Sequence, residues 1–434
     1  MHVPYSAALQ QPLLGLSLIF FTWKAILFSV AFASSFGVAY DTSGSLALTE
    51  DGAIDFGSLQ LPTLIARLTS WDAIYFTKIA RCGYVFEQEW AFGSGLPIAA
   101  ASVVKALSAL GVRHGPYLYS LAAILVATVS HWLSVLVLYR LARIFSGEGA
   151  IPLIAAGLHI FSPAGLFLSA PYAESTFALL SFLGYLLLAE SFQHAWRPAL
   201  RDGLVLSAGL VFGLSTFFRS NGILNGIPFA WLFLRDVISS PQQPIVRLRR
   251  LTVLGIGGGC VAAGSLVPQF VAYHHYCHPV EGTALRPWCG GYLPSIYGFV
   301  QRHYWNVGFL RYWTLSNAPL FALASPMLYV LIKSGAEQIN SSVVGRTDGK
   351  LSSGASALLQ SAAAAQILLA LLALATYHVQ IITRVSSGYP LWYVWLAHRL
   401  ADREKNDGAR VTVAFMVMYA SIQGALYTSF LPPA

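Results

Sequence analysis

Stretches of roughly 20 mostly apolar residues, the length a helix needs to cross a bilayer, recur from one end of this chain to the other. Backbone polar groups in lipid must be satisfied internally, so a chain patterned this way commits to a bundle of membrane helices. Eleven runs are read as spans, at about 13–38, 117–139, 151–170, 173–190, 203–218, 223–235, 251–273, 318–333, 357–377, 386–398 and 411–430. The fourth to sixth and the tenth are short enough to be tilted or broken. Residues 97–110, opening at Pro97 and carrying Lys105, read as an interfacial or re-entrant helix. Only 10% of the 434 residues are charged, against roughly 25% in ordinary globular domains. Aromatic residues at 13% suit interfacial belts. Lys24 interrupts the first run and no small-residue cleavage site is evident, so that run reads as a span rather than a signal peptide. The predicted fold class is an all-α polytopic membrane protein of about 11 spans forming a single domain over 1–434. The loops on one side, above all 41–116 and 274–317, would bear short helices.

The basic residues assign the sides. Loops after the even-numbered runs hold 15 of the 26 lysines and arginines, among them Arg140, Arg197, Arg247, Arg250, Arg346 and Arg403. The positive-inside rule places these loops in the cytosol. The net charge of +8 therefore reflects basic loops and is no sign of nucleic-acid binding. The opposite loops carry almost every unusual polar or aromatic motif. Scattered structural polar residues would not segregate this way; a one-sided active site would.

In the first of those loops Arg67-Leu68-Thr69-Ser70-Trp71-Asp72 precedes Tyr75, Tyr84, Glu87, Gln88 and Glu89. Asp72 reads either as a helix cap after Ser70 or as a base within reach of a hydroxyl. Trp71, Tyr75 and Tyr84 suit stacking on sugar faces. Glu87 reads as an acceptor contact or a loop charge, Glu89 as a loop charge. Glu174 follows Pro171-Tyr172-Ala173 and reads as an N-terminal helix charge or a cavity residue. Arg219 and Asn221, in Phe218-Arg219-Ser220-Asn221-Gly222, stand at a sharp turn. There the arginine either meets a phosphate or snorkels to the interface.

Loop 274–317 opens with His274-His275-Tyr276-Cys277-His278, whose spacing matches no standard zinc signature. Cys277 and Cys289 are candidates for a disulfide in an oxidising compartment. Cys82 competes as a partner, and Cys260 lies within a span. Arg302, Trp305, Asn306 and Arg311 then alternate cations with aromatics, as a phosphate beside a sugar or an amphipathic interfacial helix would require. His378 and Arg384 close the set as further candidate phosphate contacts.

Together these motifs resemble the GPI mannosyltransferase 2 (PIG-V) family over roughly residues 60–400. They are Trp71-Asp72-Ala73 with Gly83-Tyr84 and Glu87-Gln88, Pro171-Tyr172-Ala173-Glu174, Phe218-Arg219-Ser220-Asn221-Gly222, Arg286-Pro287-Trp288-Cys289, Tyr304 to Tyr312, and His378-Val379-Gln380 through Ser387. The stretch Ala91 to Pro97 departs from the pattern, where a more compact Phe-Pro step is expected. The resemblance implies a GT-C type glycosyltransferase of the endoplasmic reticulum membrane, a hexosyltransferase (EC 2.4.1.-) facing the lumen. It would move mannose from dolichyl-phosphate mannose, α1,6-linked and with inversion, onto the first mannose of a GPI-anchor precursor. By that resemblance Asp72 is the base, and no metal or other cofactor is expected. Expected partners are the two lipid-linked substrates, membrane lipids and a small membrane partner subunit. Rival readings are another lumenal dolichyl-phosphate-sugar transferase, a non-catalytic subunit, or a lipid transporter.

Overall fold

The computed structural model describes residues 11–34, 36–37, 40–41, 43–44, 61–112, 115–239, 243–278, 285–341, 351–402 and 406–431. Asp51, Asp55, Arg346, Lys350, Arg403 and Lys405 lie outside the described residues. Among the described residues there is no strand. The helices are, in chain order, α1 (Pro12–Ser34), α2 (Leu61–Leu68), α3 (Asp72–Cys82), α4 (Gly95–Ala109), α5 (Pro116–Ser146), α6 (Ala150–Ile160), α7 (Glu174–Gln193), α8 (Pro198–Phe218), α9 (Ile227–Ser239), α10 (Pro244–Tyr276), α11 (Ile296–His303), α12 (Ala318–Ser341), α13 (Ser353–Ala375), α14 (Ile382–Val385), α15 (Leu391–Ala401) and α16 (Asn406–Thr428). Proline opens α5, α8 and α10, where its fixed φ suits a first turn whose N–H has no helical acceptor.

Eight of these, α1, α5, α7, α8, α10, α12, α13 and α16, are long and apolar enough to cross a membrane. The other three expected spans are interrupted, so helix length does not give eleven full spans. The breaks also fall differently from expectation, at the third, sixth and tenth runs. The third is helical only to Ile160; Pro163 follows, then a tight turn over Gly165–Leu168. The sixth is the turn Ser220–Gly226 followed by the 13-residue α9. The tenth passes through short turns and Pro390 before the 11-residue α15. By contrast the fourth and fifth runs are the unbroken 20- and 21-residue α7 and α8. Irregular backbone at membrane depth survives only where protein surrounds it or it lines a cavity. Residues 162–173 and 385–397 are buried throughout, and the break that opens the sixth run lines the cavity described below through Ser220 and Asn221. The 97–110 segment is the 15-residue α4, too short to cross.

α7 lies between α5 and α8, and α8 packs along α10 through glycines. A Cβ on Gly209 would stand 2.5 Å from the Cα of Gly257, and one on Gly213 the same distance from the carbonyl oxygen of Cys260. Small residues four apart let two membrane helices approach this closely, which is how helices associate without a hydrophobic drive between them. Polar side chains tie other helices. Gln366 of α13 donates from Nε2 to the Leu331 carbonyl (2.8 Å) and to the Ser334 hydroxyl (2.6 Å) of α12. His159 of α6 bridges the Ser134 hydroxyl at 2.8 Å and the Tyr393 hydroxyl at 3.0 Å. Lys24 is buried, with its ammonium 5.5 Å from the Phe20 ring centre.

α8 runs antiparallel to α7, so Glu174 and Phe218 share one end of the bundle while Arg197 and Arg201 share the other. The second end also holds the ion pairs Arg140–Glu190, Arg249–Asp202 and Arg250–Asp236. Replacing Gly213 by Leu should push α8 from α10 and cost about 1–3 kcal/mol through overpacking. A lowered thermal midpoint of the detergent-solubilised protein would register it, and Gly203→Leu, where a Cβ meets open space, is the control.

Candidate active site

The turn between α2 and α3 is held from the far end of the chain. The Tyr427 hydroxyl of α16 donates to the Leu68 carbonyl at 2.7 Å and lies 3.2 Å from that of Ser70. Trp71 takes the left-handed φ of 57°, which side chains rarely adopt and which is retained where the surroundings enforce it. The consequence is that Trp71, not Asp72, takes the N-cap position, while Asp72 is the first residue of α3 and lines a cavity. The reading as a surface cap is therefore not what the structure holds.

That cavity, of about 500 Å³, falls within the range of small-molecule sites. Segments far apart in sequence build it: Trp71, Asp72 and Phe76; Phe92 and Gly93; Tyr172; the turn Phe218–Asn221; Tyr297 to Val307; and Leu369 to Val385. Every one belongs to the loops, or the helix ends, that the basic residues had set apart. Gly93 presses on the Phe217 and Phe218 carbonyls so closely that a Cβ would overlap them. The departure at Ala91–Pro97 is thus a stretch that packs against the end of α8.

One wall of the site is ionic. The Asp72 carboxylate stands 3.5 Å from Nη1 of Arg384, whose Nε lies 3.8 Å from Oε1 of Glu174. The same Glu174 oxygen lies 2.5 Å from Nη1 of Arg219. Glu174 is fully buried at the first turn of α7 and stands behind the wall rather than on it. Arg219 also donates to Asn221 at 3.2 Å, and Asn221 to the Tyr389 hydroxyl at 3.3 Å. Arg384 rests over the rings of Phe167 and Tyr172, at 4.8 and 5.2 Å, a cation–π seat that fixes it. Burial works against its charge, but the carboxylates of Glu174 and Asp72 prevail and hold the guanidinium above its ordinary range.

The facing wall is aromatic. Phe92 stacks on Tyr75 at 4.6 Å and meets Trp305 edge-on at 5.7 Å. Burial, with the charges of Asp72 and Glu89, raises the Tyr75 hydroxyl above its usual value, so it stays protonated as a donor. His378 stacks on Tyr312 at 4.7 Å, and its Nε2 lies 3.2 Å from the Trp305 carbonyl.

Of the residues singled out from sequence, Trp71, Asp72, Arg219, Asn221, Trp305, His378 and Arg384 line this cavity. Others do not. Tyr84 stacks on Trp90 at 4.3 Å and donates to the Phe92 carbonyl at 2.8 Å, so it shapes the loop from behind. Glu87 is buried, accepting from Trp288 Nε1 and pairing with Arg286, both at 3.0 Å. Gln88 is half-buried away from the cavity. Glu89 closes its own turn by accepting the Val85 and Phe86 N–H groups. Arg302 is exposed, and Arg311 is exposed with a long 3.4 Å contact to Asn306. Neither arginine lines the cavity: Arg302 lies exposed near the end of α11, and Arg311 lies exposed in the turn that follows.

The structure bonds Cys277 to Cys289 across a Cα separation of 5.5 Å, and Cys82 is free. This bond joins the end of α10 to the loop whose Trp288 and Arg286 grip Glu87. His278 and His274 pair with each other at 3.0 Å. The sequence reading passed over Phe92, Tyr172, Tyr297, Gln301 and Gln380, which line the cavity. Phe92, Tyr172 and Gln380 lie inside the stretches Ala91–Pro97, Pro171–Glu174 and His378–Ser387; Gln301 adjoins Arg302, and Tyr297 carries no local signal.

A multi-span helical membrane protein with a cation-and-carboxylate cavity at one end of its bundle is the class these features define. The mannosyltransferase (PIG-V) family model matches residues 18–434. The chain belongs to that family. It is 52% identical to GPI mannosyltransferase 2 of Chaetomium globosum over 96% of this chain and 95% of that one. It is 44% identical to the protein so named in Gibberella zeae, over 98% of each, and 32% to that of Yarrowia lipolytica, over 96% and 98%. Among solved structures, an oligosaccharyltransferase of Archaeoglobus fulgidus aligns over 92% of this chain and 53% of its own, at 14% identity and a TM-score of 0.43.

Two outcomes test the placement. Neutralising Arg302 or Arg311 with Gln should change transfer rates less than about threefold, whereas Arg219→Gln or Arg384→Gln should lose about tenfold or more, as for a charged hydrogen-bond partner. Non-reducing digestion should yield residues 277 and 289 on linked peptides. Cys277→Ser should lower stability by about 2–4 kcal/mol, read as a shift in the thermal midpoint.

Proposed function

We propose that the chain transfers mannose from dolichyl-phosphate mannose to the 6-hydroxyl of the first mannose on a GPI-anchor precursor, forming an α1,6 link with inversion. One observation carries this reading: a carboxylate and two arginines share a cavity whose other wall is aromatic. Asp72 takes the hydroxyl proton as the oxygen attacks the anomeric carbon. Arg219 and Arg384 meet the phosphate on which negative charge grows. Fixed charges aimed at the place where charge develops supply much of a transferase's rate. Phe92 and Trp305 offer ring faces to the sugars. Binding two lipid-borne substrates in one cavity supplies orientation. The curated name shared by the relatives supports the acceptor class, and the segregation of basic residues supports a cavity facing the endoplasmic reticulum lumen.

In this reading the arginines, not a divalent ion, balance the phosphate, so excess EDTA should leave the rate within about twofold. Arginine suits that task because its planar fork matches a phosphate. Asp72→Asn should cut transfer to a one-mannose GPI precursor by at least about 100-fold, the usual worth of a positioned base. The assay uses membranes carrying equal amounts of folded wild type and variant. Full activity of the variant would remove Asp72 from the reaction, and wild type that transfers no mannose to this acceptor would overturn the substrate assignment.

A further inference from the structure

Glu174 is the one charged group of the ionic cluster that does not line the cavity, and it is also the most deeply buried. A buried carboxylate is costly unless something compensates it. Here Arg219 does so closely at 2.5 Å and Arg384 loosely at 3.8 Å. Arg384 thus stands between two carboxylates, through different nitrogens, and neither is nearer than 3.5 Å. Its guanidinium also rests over the rings of Phe167 and Tyr172, a contact that an exchange of ion-pair partner need not break. Such an arginine can change partner with little movement.

We infer that Glu174 is a positioning residue, a fixed counter-ion that sets Arg219 and Arg384 side by side as one phosphate cradle, and that Arg384 exchanges Asp72 for the donor phosphate when the donor binds. The inference rests on the reaction proposed above. In the empty site two carboxylates face two guanidiniums. Entry of a phosphodiester adds one negative charge, and Arg384 turns to it and releases Asp72. The acceptor hydroxyl then gives its proton to Asp72, the oxygen–carbon bond forms, and the bond from anomeric carbon to phosphate oxygen breaks with its electron pair on the phosphate. One negative charge leaves Asp72 as one appears on the phosphate. Total charge in the site is constant, and Arg384 lies between the two places. Glu174 stays ionised and unmoved throughout.

On this inference Glu174 acts on the donor and not on the acceptor. Without its charge Arg219 loses its anchor, and Arg384 has only Asp72 to turn to. The donor must then displace Arg384 from Asp72 and assemble the cradle itself. The test is steady-state transfer by full-length protein in membranes, varying dolichyl-phosphate mannose and the one-mannose acceptor separately. Glu174→Gln should raise the donor KM about tenfold or more, the scale of one lost charge-assisted contact, with the acceptor KM within about twofold. Glu174→Asp keeps the buried charge and the fold while retreating from Arg384, and should fall between wild type and Glu174→Gln in donor KM. Should Glu174→Gln not accumulate as folded protein, the Asp variant decides alone. A donor KM equal to wild type in the Asp variant, or donor and acceptor KM rising together, would overturn the inference. In a double-mutant cycle Glu174→Gln should add little to Arg219→Gln, since neighbours acting through one contact are not additive; full additivity would also overturn it. Active wild type, an inactive Asp72→Asn and a flat Glu174 series would sink this inference alone. Inactive wild type would sink the reaction beneath it.

Discussion

Arg384 is the point at which distant parts of the chain are made to agree. Its partners are Asp72 from the turn before α3 and Glu174 from the head of α7, and through Glu174 it is tied to Arg219 at the foot of α8. Removing one member of a buried ionic cluster leaves the others uncompensated, so such a cluster holds its elements together more strongly than its net gain suggests. The turn bearing Asp72 is also latched by Tyr427 and Tyr172, both through the Ser70 carbonyl. The first loop, the middle of the bundle and the last helix therefore meet around Arg384 and its two carboxylates.

Interrupted helices make this meeting possible. An unbroken membrane helix spends all its backbone groups internally and offers only side chains to its neighbours. Where the chain breaks at Ser220–Gly226 and again between Val379 and Pro390, it presents Arg219, Asn221, His378 and Arg384 inside the envelope of the bundle. The third interruption, around Pro163 and Gly165, supplies Phe167, the ring on which Arg384 rests. Cations at this depth need such a seat, because a charge facing lipid is expensive. The polar ties beneath, from His159 to Tyr393 and from Tyr393 to Ser162, fix the broken segments to one another.

The aromatic wall depends on a different device. Glu87 and Glu89 form an acidic pair in the sequence, the first also readable as an acceptor contact, yet both are consumed in shaping the loop that carries Phe92. Glu89 folds the turn by accepting its N–H groups, and Glu87 bonds it to Trp288 beside the Cys277–Cys289 bridge. A buried carboxylate that already accepts two donors has little left for a substrate. The disulfide, the carboxylates and Tyr84 together form the scaffold that sets Phe92 in the cavity lining beside Trp305.

The sequence by itself determined that this is a helical membrane bundle, because apolar runs of membrane length leave the backbone no other solution. It also determined the sidedness of the polar motifs and the family to which their order belongs. Asp72, Arg219, His378 and Arg384 were legible because charge beside a membrane is rarely idle. What only the tertiary structure decided is which charges share a cavity. Arg302 and Arg311 read as well as Arg219 and Arg384, since periodicity and composition carry no information about contacts across some 165 residues of chain, the distance from Arg219 to Arg384. Which apolar runs stay helical throughout was not legible for the same reason. A run of apolar residues shows that a segment is buried, but whether it stays helical depends on neighbours that can satisfy the backbone where proline and glycine break it.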